Sequence, residues 1–280
     1  MRALPLALAI ATFGCSAPPA RGPAAPPTAS PTPQLPRRHE LALTVNGLSG
    51  LARNGDVLWT VAERGKSLVR LEGPGHNAVV VPISDLPHGY DLESVAGLGA
   101  DRLAIGTETS AELWSSQEGQ RRAKILLVST RENTAQVTDT LDLPFSIWKV
   151  RPAENQGIEG LCSTNDMLIA GIETVKEVEG RRLAPLAWRR LDAEPWMPFY
   201  LALTSEKGKL SSLACRRTDS GIEAIAVERH FGIMRILWFT TSRSPSGTIE
   251  PEILADYSEF VAPDSLNVEG IAWLDDGIAM

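Results

Sequence analysis

The 280-residue chain is poor in the residues that build most recognisable active sites. It has three cysteines and four histidines, and these form no zinc-spaced set. It contains no Gly-x-Ser-x-Gly elbow, Walker loop or Rossmann glycine fingerprint. The hydrolases, nucleotidases and dinucleotide enzymes that those motifs mark are therefore excluded as motif-based readings. The apolar run at the N terminus, Ala3 to Phe13, is interrupted by Pro5 and is too short to span a membrane as a helix. A basic surplus is missing as well. The formal net charge is −7, and residues 1–38 hold four arginines and no acid, so the body from His39 carries −11. Such a body repels a phosphate backbone, which excludes nucleic acid as a partner and disfavours polyphosphate capture without a cation. With 43% hydrophobic residues, the chain still buries one sizeable core.

What the chain does have is repetition. Five times a short apolar run breaks at one small or acidic residue: Leu48-Ser49-Gly50-Leu51-Ala52, Leu92-Glu93-Ser94-Val95-Ala96, Ile158-Glu159-Gly160-Leu161-Cys162, Leu210-Ser211-Ser212-Leu213-Ala214 and Val268-Glu269-Gly270-Ile271-Ala272. A turn signal follows each copy, Asn54-Gly55 in the first and Asp276-Gly277 in the last. Such residues close tight hairpins. A second apolar run comes next, and in four copies it ends at a glutamate: Glu63, Glu108, Glu173 and Glu228. Each copy is thus a pair of strands.

The copies lie 44, 66, 52 and 58 residues apart, which suits propeller blades of about 40–50 residues with loop insertions. The sequence predicts an all-β fold, a β-propeller with five recognisable repeats and five or six blades, the last one incomplete in this chain. A sandwich or solenoid of the same hairpins is the competing all-β arrangement, but a sandwich has no reason to repeat an acid in register. Blade one reads as strands near 47–53, 56–62, 67–72 and 77–83. Blade two reads as 91–97, 101–107, 123–129 and 135–142. Blade four has Ile233 to Phe239 and Ile249 to Ala255 as its outer pair. Blade three shows no convincing fourth strand, and Arg181 to Pro198, with four arginines and two tryptophans, reads as an inserted surface loop or a basic lid. Apolar runs such as Ile125-Leu126-Leu127-Val128 fit strands covered on both faces.

The ends divide the chain into three parts. Residues 1–14 read as a lipoprotein signal peptide, ending at Thr12-Phe13-Gly14-Cys15. This resembles a bacterial lipobox, with Cys15 as the lipid attachment; ordinary cleavage near Ala17 or Ala20 is the alternative. Residues 15–38 comprise that cysteine and a tether whose eight prolines favour extended conformations. Residues 39–280 form the propeller domain, with His39 to Val45 expected to return as an outer strand. The expected location is the outer membrane or cell surface, periplasmic or extracellular. Cys162 and Cys215 lie on neighbouring first strands but one residue out of step, leaving a disulfide and two buried thiols both open.

The acids in register are the candidate site. Glu93, Glu159 and Glu269 are placed around the channel mouth, and Glu63, Glu108, Glu173 and Glu228 in a second ring. Carboxylates gathered in this way need a cation, a basic neighbour or proton uptake, and oxygen-rich clusters suit Ca²⁺. Arg64 and Arg229 each follow a second-ring glutamate, so ion pairing across blades is the other reading. The run Glu228-Arg229-His230-Phe231-Gly232 only superficially matches the Arg-His-Gly core of histidine acid phosphatases, an α/β family.

With these residues in view, the repeats resemble the phytase-like bacterial β-propellers, also named for an esterase-like activity of phytase. The resemblance rests on Leu-Glu-Ser-Val-Ala, Ile-Glu-Gly-Leu-Cys and Val-Glu-Gly-Ile-Ala and covers about residues 47–280. It implies a propeller, export and calcium-dependent phosphoester hydrolysis, with Glu93, Glu159 and Glu269 inheriting the acidic role; Ser49 and Ser211 depart from the pattern. Two functions are therefore expected in order. The first is an envelope-anchored, monomeric propeller that binds a cation, small molecule, glycan or protein at the acidic mouth. The second is a Ca²⁺-dependent phosphoester hydrolase with a second-ring glutamate as base.

Overall fold

In blades one to four the first strand lies nearest the axis, close to the repeated break, and three antiparallel strands then step outward. The computed structural model describes residues 45, 47–63, 65–72, 77–114, 122–154, 156–164, 166–193, 195–260, 268–275 and 277–280. The expected signal segment, Cys15, the tether, residues 39–44 of the returning strand and Arg64 lie outside the described residues.

Blade one comprises β1 (Leu48–Asn54), β2 (Val57–Ala62), β3 (Ser67–Glu72) and β4 (Asn77–Ser84). Blade two comprises β5 (Tyr90–Gly97), β6 (Arg102–Thr109), β7 (Arg122–Arg131) and β8 (Thr134–Pro144), with one helical turn, α1 (Ala111–Trp114), after β6. Blade three runs through β9 (Gly160–Thr164) and β10 (Met167–Gly171), then β12 (Arg181–Arg190) and β13 (Met197–Ala202), with the short β11 (Lys176–Val178) also paired to β12. Blade four comprises β14 (Lys209–Arg217), β15 (Ile222–His230), β16 (Ile233–Thr241) and β18 (Glu252–Asp256), while β17 (Thr248–Ile249) pairs parallel to β13 of the blade before. Among the described residues the fifth blade holds two strands, β19 (Ala272–Trp273) and β20 (Ile278–Ala279). The first strands touch in a closed ring, β1 to β5 to β9 to β14 to β19 and back to β1. This is a β-propeller with five repeats.

The apolar runs are explained by what covers each face. In β7, Ile125 packs into the core between blades two and three, while Leu126 packs into the core between blades one and two. In blade four, Ala224, Ala226 and Leu237 face blade three, whereas Ile225, Val227 and Ile236 face blade five. Alternation along each strand thus feeds two seams at once, so both faces must be apolar. Each fully buried Leu, Ile, Val or Phe contributes about 1.5–3 kcal/mol, so the seams hold the ring together.

Residues 181–198 correct the sequence reading: they form β12 and the start of β13, not a loop or lid. Leu183 through Ala187 are buried, and Trp196 is buried with its indole N–H donated to the Asp142 carbonyl at 2.8 Å. A proline inside a strand argues against that strand. Pro185 is accommodated because β10 ends at Gly171, opposite Leu186. The four arginines are spent on neighbours: Arg181 on Glu250, Arg182 on the Ser205 carbonyl, Arg189 over the Trp196 ring, and Arg190 on Asp166 and Asp192.

Cys162 and Cys215 are joined in a disulfide, Cα to Cα 5.6 Å, across the seam between blades three and four. The one-residue offset is what allows it. Residues at equal register on neighbouring first strands face the same way round the ring. Cys162 faces blade four, its counterpart Ala214 faces blade five, and Leu213 and Cys215 face back to blade three.

Candidate functional site

In β1, β5 and β14 the first strand bulges at or beside the break residue, while Glu159 and Glu269 stand before the start of β9 and β19. Pairing between β5 and β6 jumps from Leu92 to Ser94, leaving Glu93 as the extra residue, and pairing between β14 and β15 jumps from Leu210 to Ser212 over Ser211. In β1 the jump lies between Ser49 and Ala52. Bulges re-aim one side chain, and here all of them sit at the same end of the axis because every first strand runs in the same sense. Gly50 is required at this level. Its φ is +64°, its N–H donates to the Glu269 carbonyl at 2.9 Å, and a Cβ there would meet the Ser94 Cα at 2.7 Å. The two serines that replace the acid serve the seams: Ser49 Oγ donates to the Glu93 carbonyl at 2.5 Å and Ser211 Oγ to the Val268 carbonyl at 3.1 Å.

Six of the seven expected acids share one electrostatic environment. Glu93, Glu108 and Glu159 are each about 9% exposed. Burial, reinforced by the charges of Glu159, Glu108, Glu63 and Glu269, pushes Glu93 up to about 10. Burial first, then Glu173, Glu108 and Glu269, holds Glu159 well above the usual carboxylate range against the opposing pull of Arg229. Glu108 rises to about 7 through burial and the charges of Glu173, Asp91 and Glu63. Among the described residues the bases are few. Lys209 reaches Glu173 at 3.4 Å, Arg229 reaches Glu269 at 3.5 Å, and Lys66 reaches Asp91 at 3.7 Å. Burial and the neighbouring carboxyls thus favour the protonated forms of Glu93, Glu159 and Glu108.

Glu228 is the seventh, and the structure gives it a different task. It is fully buried and accepts four hydrogen bonds, from Thr204 N–H at 3.0 Å, Thr204 Oγ1 at 2.5 Å, Ser205 N–H at 2.9 Å and Ser205 Oγ at 2.6 Å. It pins the connection between blades three and four. Lys209 and Lys66 are not among the expected site residues; a lysine immediately before the fourth repeat is the available signal.

The donor chemistry of this end, oxygen throughout, fits a hard cation such as Ca²⁺. Among the described residues, no three His, Cys, Asp or Glu side chains stand close enough to form a finished metal cage. The acids, Glu93, Glu108 and Glu159 among them, present separate carboxylate donors at this end rather than one assembled ligand set.

At the opposite end, four residues beyond each break, stand Arg53, Gly97, Ser163, Cys215 and Trp273. They line a cavity of about 120 Å³ on the axis. Charges here are paired. Arg53 grips Asp275 with bonds of 2.5 and 3.0 Å, and Arg216, which lies 3.9 Å from the Trp273 ring centroid, bonds Glu223 at 2.6 Å.

No family model matches the chain, and no curated protein matches it in sequence. Among solved structures it is similar to the PQQ-bound aldose sugar dehydrogenase of Streptomyces coelicolor, at 15% identity and a TM-score of 0.46, covering 86% of this chain and 75% of that one. It is similar to U3-55K at 14% identity and a TM-score of 0.39, covering 82% of this chain and 58% of the other, and so spans less than two thirds of that protein. Similarity to YCF48 of Cyanidioschyzon merolae is 11%, with a TM-score of 0.34 and coverage of 76% and 74%. Likenesses this distant assign no activity, and the propeller described above stands on its own strand pairing.

Proposed function

We propose that this chain is a binding propeller whose acidic axial end captures a cation, or the cationic group of a larger ligand, in exchange for protons. One observation carries the reading: Glu93 and Glu159 are buried among further carboxyls, with Arg229 as the opposing base at Glu159, so burial favours protons that a cation would displace. Ca²⁺ is the proposed ion, on the strength of the oxygen donors. The lipobox-like Thr12-Phe13-Gly14-Cys15 and the proline-rich tether support an address on the bacterial envelope, anchored through Cys15. The acidic repeats support kinship with the phytase-like propellers. Phosphoester hydrolysis is the second reading. In its favour, Lys209 and Arg229 border the acids, where a phosphoryl group bridged by a cation would meet positive charge. Against it, each of the two is already paired with a glutamate.

A thermal melt of residues 39–280 in Ca²⁺ and in chelator tests the binding reading. A site filled to about 100 times its Kd adds ~2.7 kcal/mol, or roughly 5–10 °C for a domain of this size. The rise should be lost in Glu159→Gln and should grow with pH as the protons become easier to displace. No rise at millimolar Ca²⁺ would sink the cation reading. Metal-dependent turnover of a phosphomonoester, abolished in the same variant, would promote the hydrolase reading above it.

A further inference from the structure

The disulfide end of the axis is chemically independent of the acids, and it places a covalent bond in the wall of a cavity. Cys162 and Cys215 both line the cavity of about 120 Å³. That space is of the order of the ~150 Å³ known to admit a six-membered ring, so it suits a thiol of cysteine size and excludes the surface of a protein. The two sulfurs are not equivalent. Cys162 is 4% exposed and sits in the core with Met167, Phe199 and Leu213. Cys215 is half-buried and is followed by Arg216 and Arg217. Arg53 lines the same cavity with its guanidinium paired to Asp275. Access is what selects the attacked sulfur here.

We propose that Cys215 is a thiolation site, at which a low-molecular-weight thiol entering the axial cavity opens the bridge between blades three and four. In the exchange, the thiolate sulfur forms a bond to Cys215 Sγ while the Cys162–Cys215 bond breaks. The bonding pair leaves on Cys162 Sγ, which takes a proton from solvent. The products are a mixed disulfide at Cys215 and a free thiol at Cys162, with no other oxidant or reductant involved. A second thiol molecule attacking the mixed disulfide releases the small disulfide and leaves both cysteines reduced. Blades three and four still share their apolar seam when the bridge opens, because Leu186, Phe199, Leu210, Leu213 and Leu237 pack there independently of it. The site is therefore a reversible staple on a seam that remains closed.

The test is to incubate native residues 39–280 with cysteine, quench with acid, and map adducts by mass spectrometry. The expected result is one added cysteine per chain, located on Cys215, with Cys162 alkylatable. The rate should be first order in cysteine and faster than global unfolding measured under the same conditions. A thioredoxin-sized dithiol protein should react at least tenfold more slowly than cysteine at equal thiolate concentration. An adduct on Cys162, equal rates for both thiols, or a rate capped by that of unfolding would each overturn the proposal. So would an intact bridge under conditions that reduce the denatured chain.

Discussion

At one end of the axis the first strands carry Glu93, Glu159 and Glu269; four residues further along, the same five strands carry Arg53, Gly97, Ser163, Cys215 and Trp273. Both sets arise from one repeat register, yet their energetics are opposite. At the acidic end six carboxyls face few bases among the described residues, and Glu93, Glu159 and Glu108 are pushed toward their protonated forms. At the disulfide end each charge has a partner, Arg53 with Asp275 and Arg216 with Glu223, and a covalent bond adds to the seam. Repetition decides which side chains share an end, and the neighbours supplied by other blades decide whether that end is strained or satisfied. A strained end gains stability from a ligand, and a satisfied one loses stability when a contact is removed.

Substitutions at the two ends should therefore change stability in opposite directions. The largest effect is expected from Cys162→Ala with Cys215→Ala. The bridge closes a loop of sequence separation 53, worth about 4 kcal/mol by the chain-entropy relation, so the melting temperature should fall by roughly 8–16 °C. The increase in melting temperature on adding Ca²⁺ should survive, because the acids lie at the other end. Loss of that increase would mean that the two ends are coupled.

Glu228→Gln comes next. An amide cannot accept all four bonds that Thr204 and Ser205 donate, and unsatisfied buried donors cost about 2–3 kcal/mol. A fall of roughly 5–10 °C is expected, and an unchanged melt would show that the Thr204–Ser205 connection is not held by this carboxyl.

The smallest effect has the opposite sign. Glu93 and Glu108 have folded-state values of about 10 and about 7, both above the ordinary 4.5. The folded chain thus keeps protons that the unfolded chain releases. Their contribution is complete below pH 4.5 and is lost as pH rises through 7 and on toward 10. In chelator, the melting temperature should decline between pH 5 and 9, and Glu93→Gln should raise it by about 2–4 °C at pH 8 while leaving it unchanged at pH 4.5. A fall at pH 8 would show that Glu93 is paired in the folded protein, and the contrast between the two ends would fail.

Much of the fold was legible because strand alternation and turn chemistry are local. Blades one, two and four fall close to their expected strands, and in β1, β5 and β14 the break residue proved to be a bulge or the residue beside one. Blade three was misread at β12, where Pro185 and four arginines look like a loop when only the chain neighbours are considered. What makes that segment a strand is the hydrogen bonding of β10 on one side and β13 on the other. The acids illustrate the same limit. Glu173 and Glu228 end their second strands alike in sequence, yet one joins the acidic cluster and the other is enclosed by Thr204 and Ser205.

By itself, the sequence determined the repeat, the strand pairs within it and the end of the axis to which each acid belongs. These follow from the period-two geometry of a strand and from turns made by adjacent residues. Only the tertiary structure decided which acids hold protons, which one is hydrogen-bonded, and that Cys162 meets Cys215. Burial and charge act through space between blades more than forty residues apart, and the closed ring makes a one-residue offset the condition for two neighbouring strands to face each other.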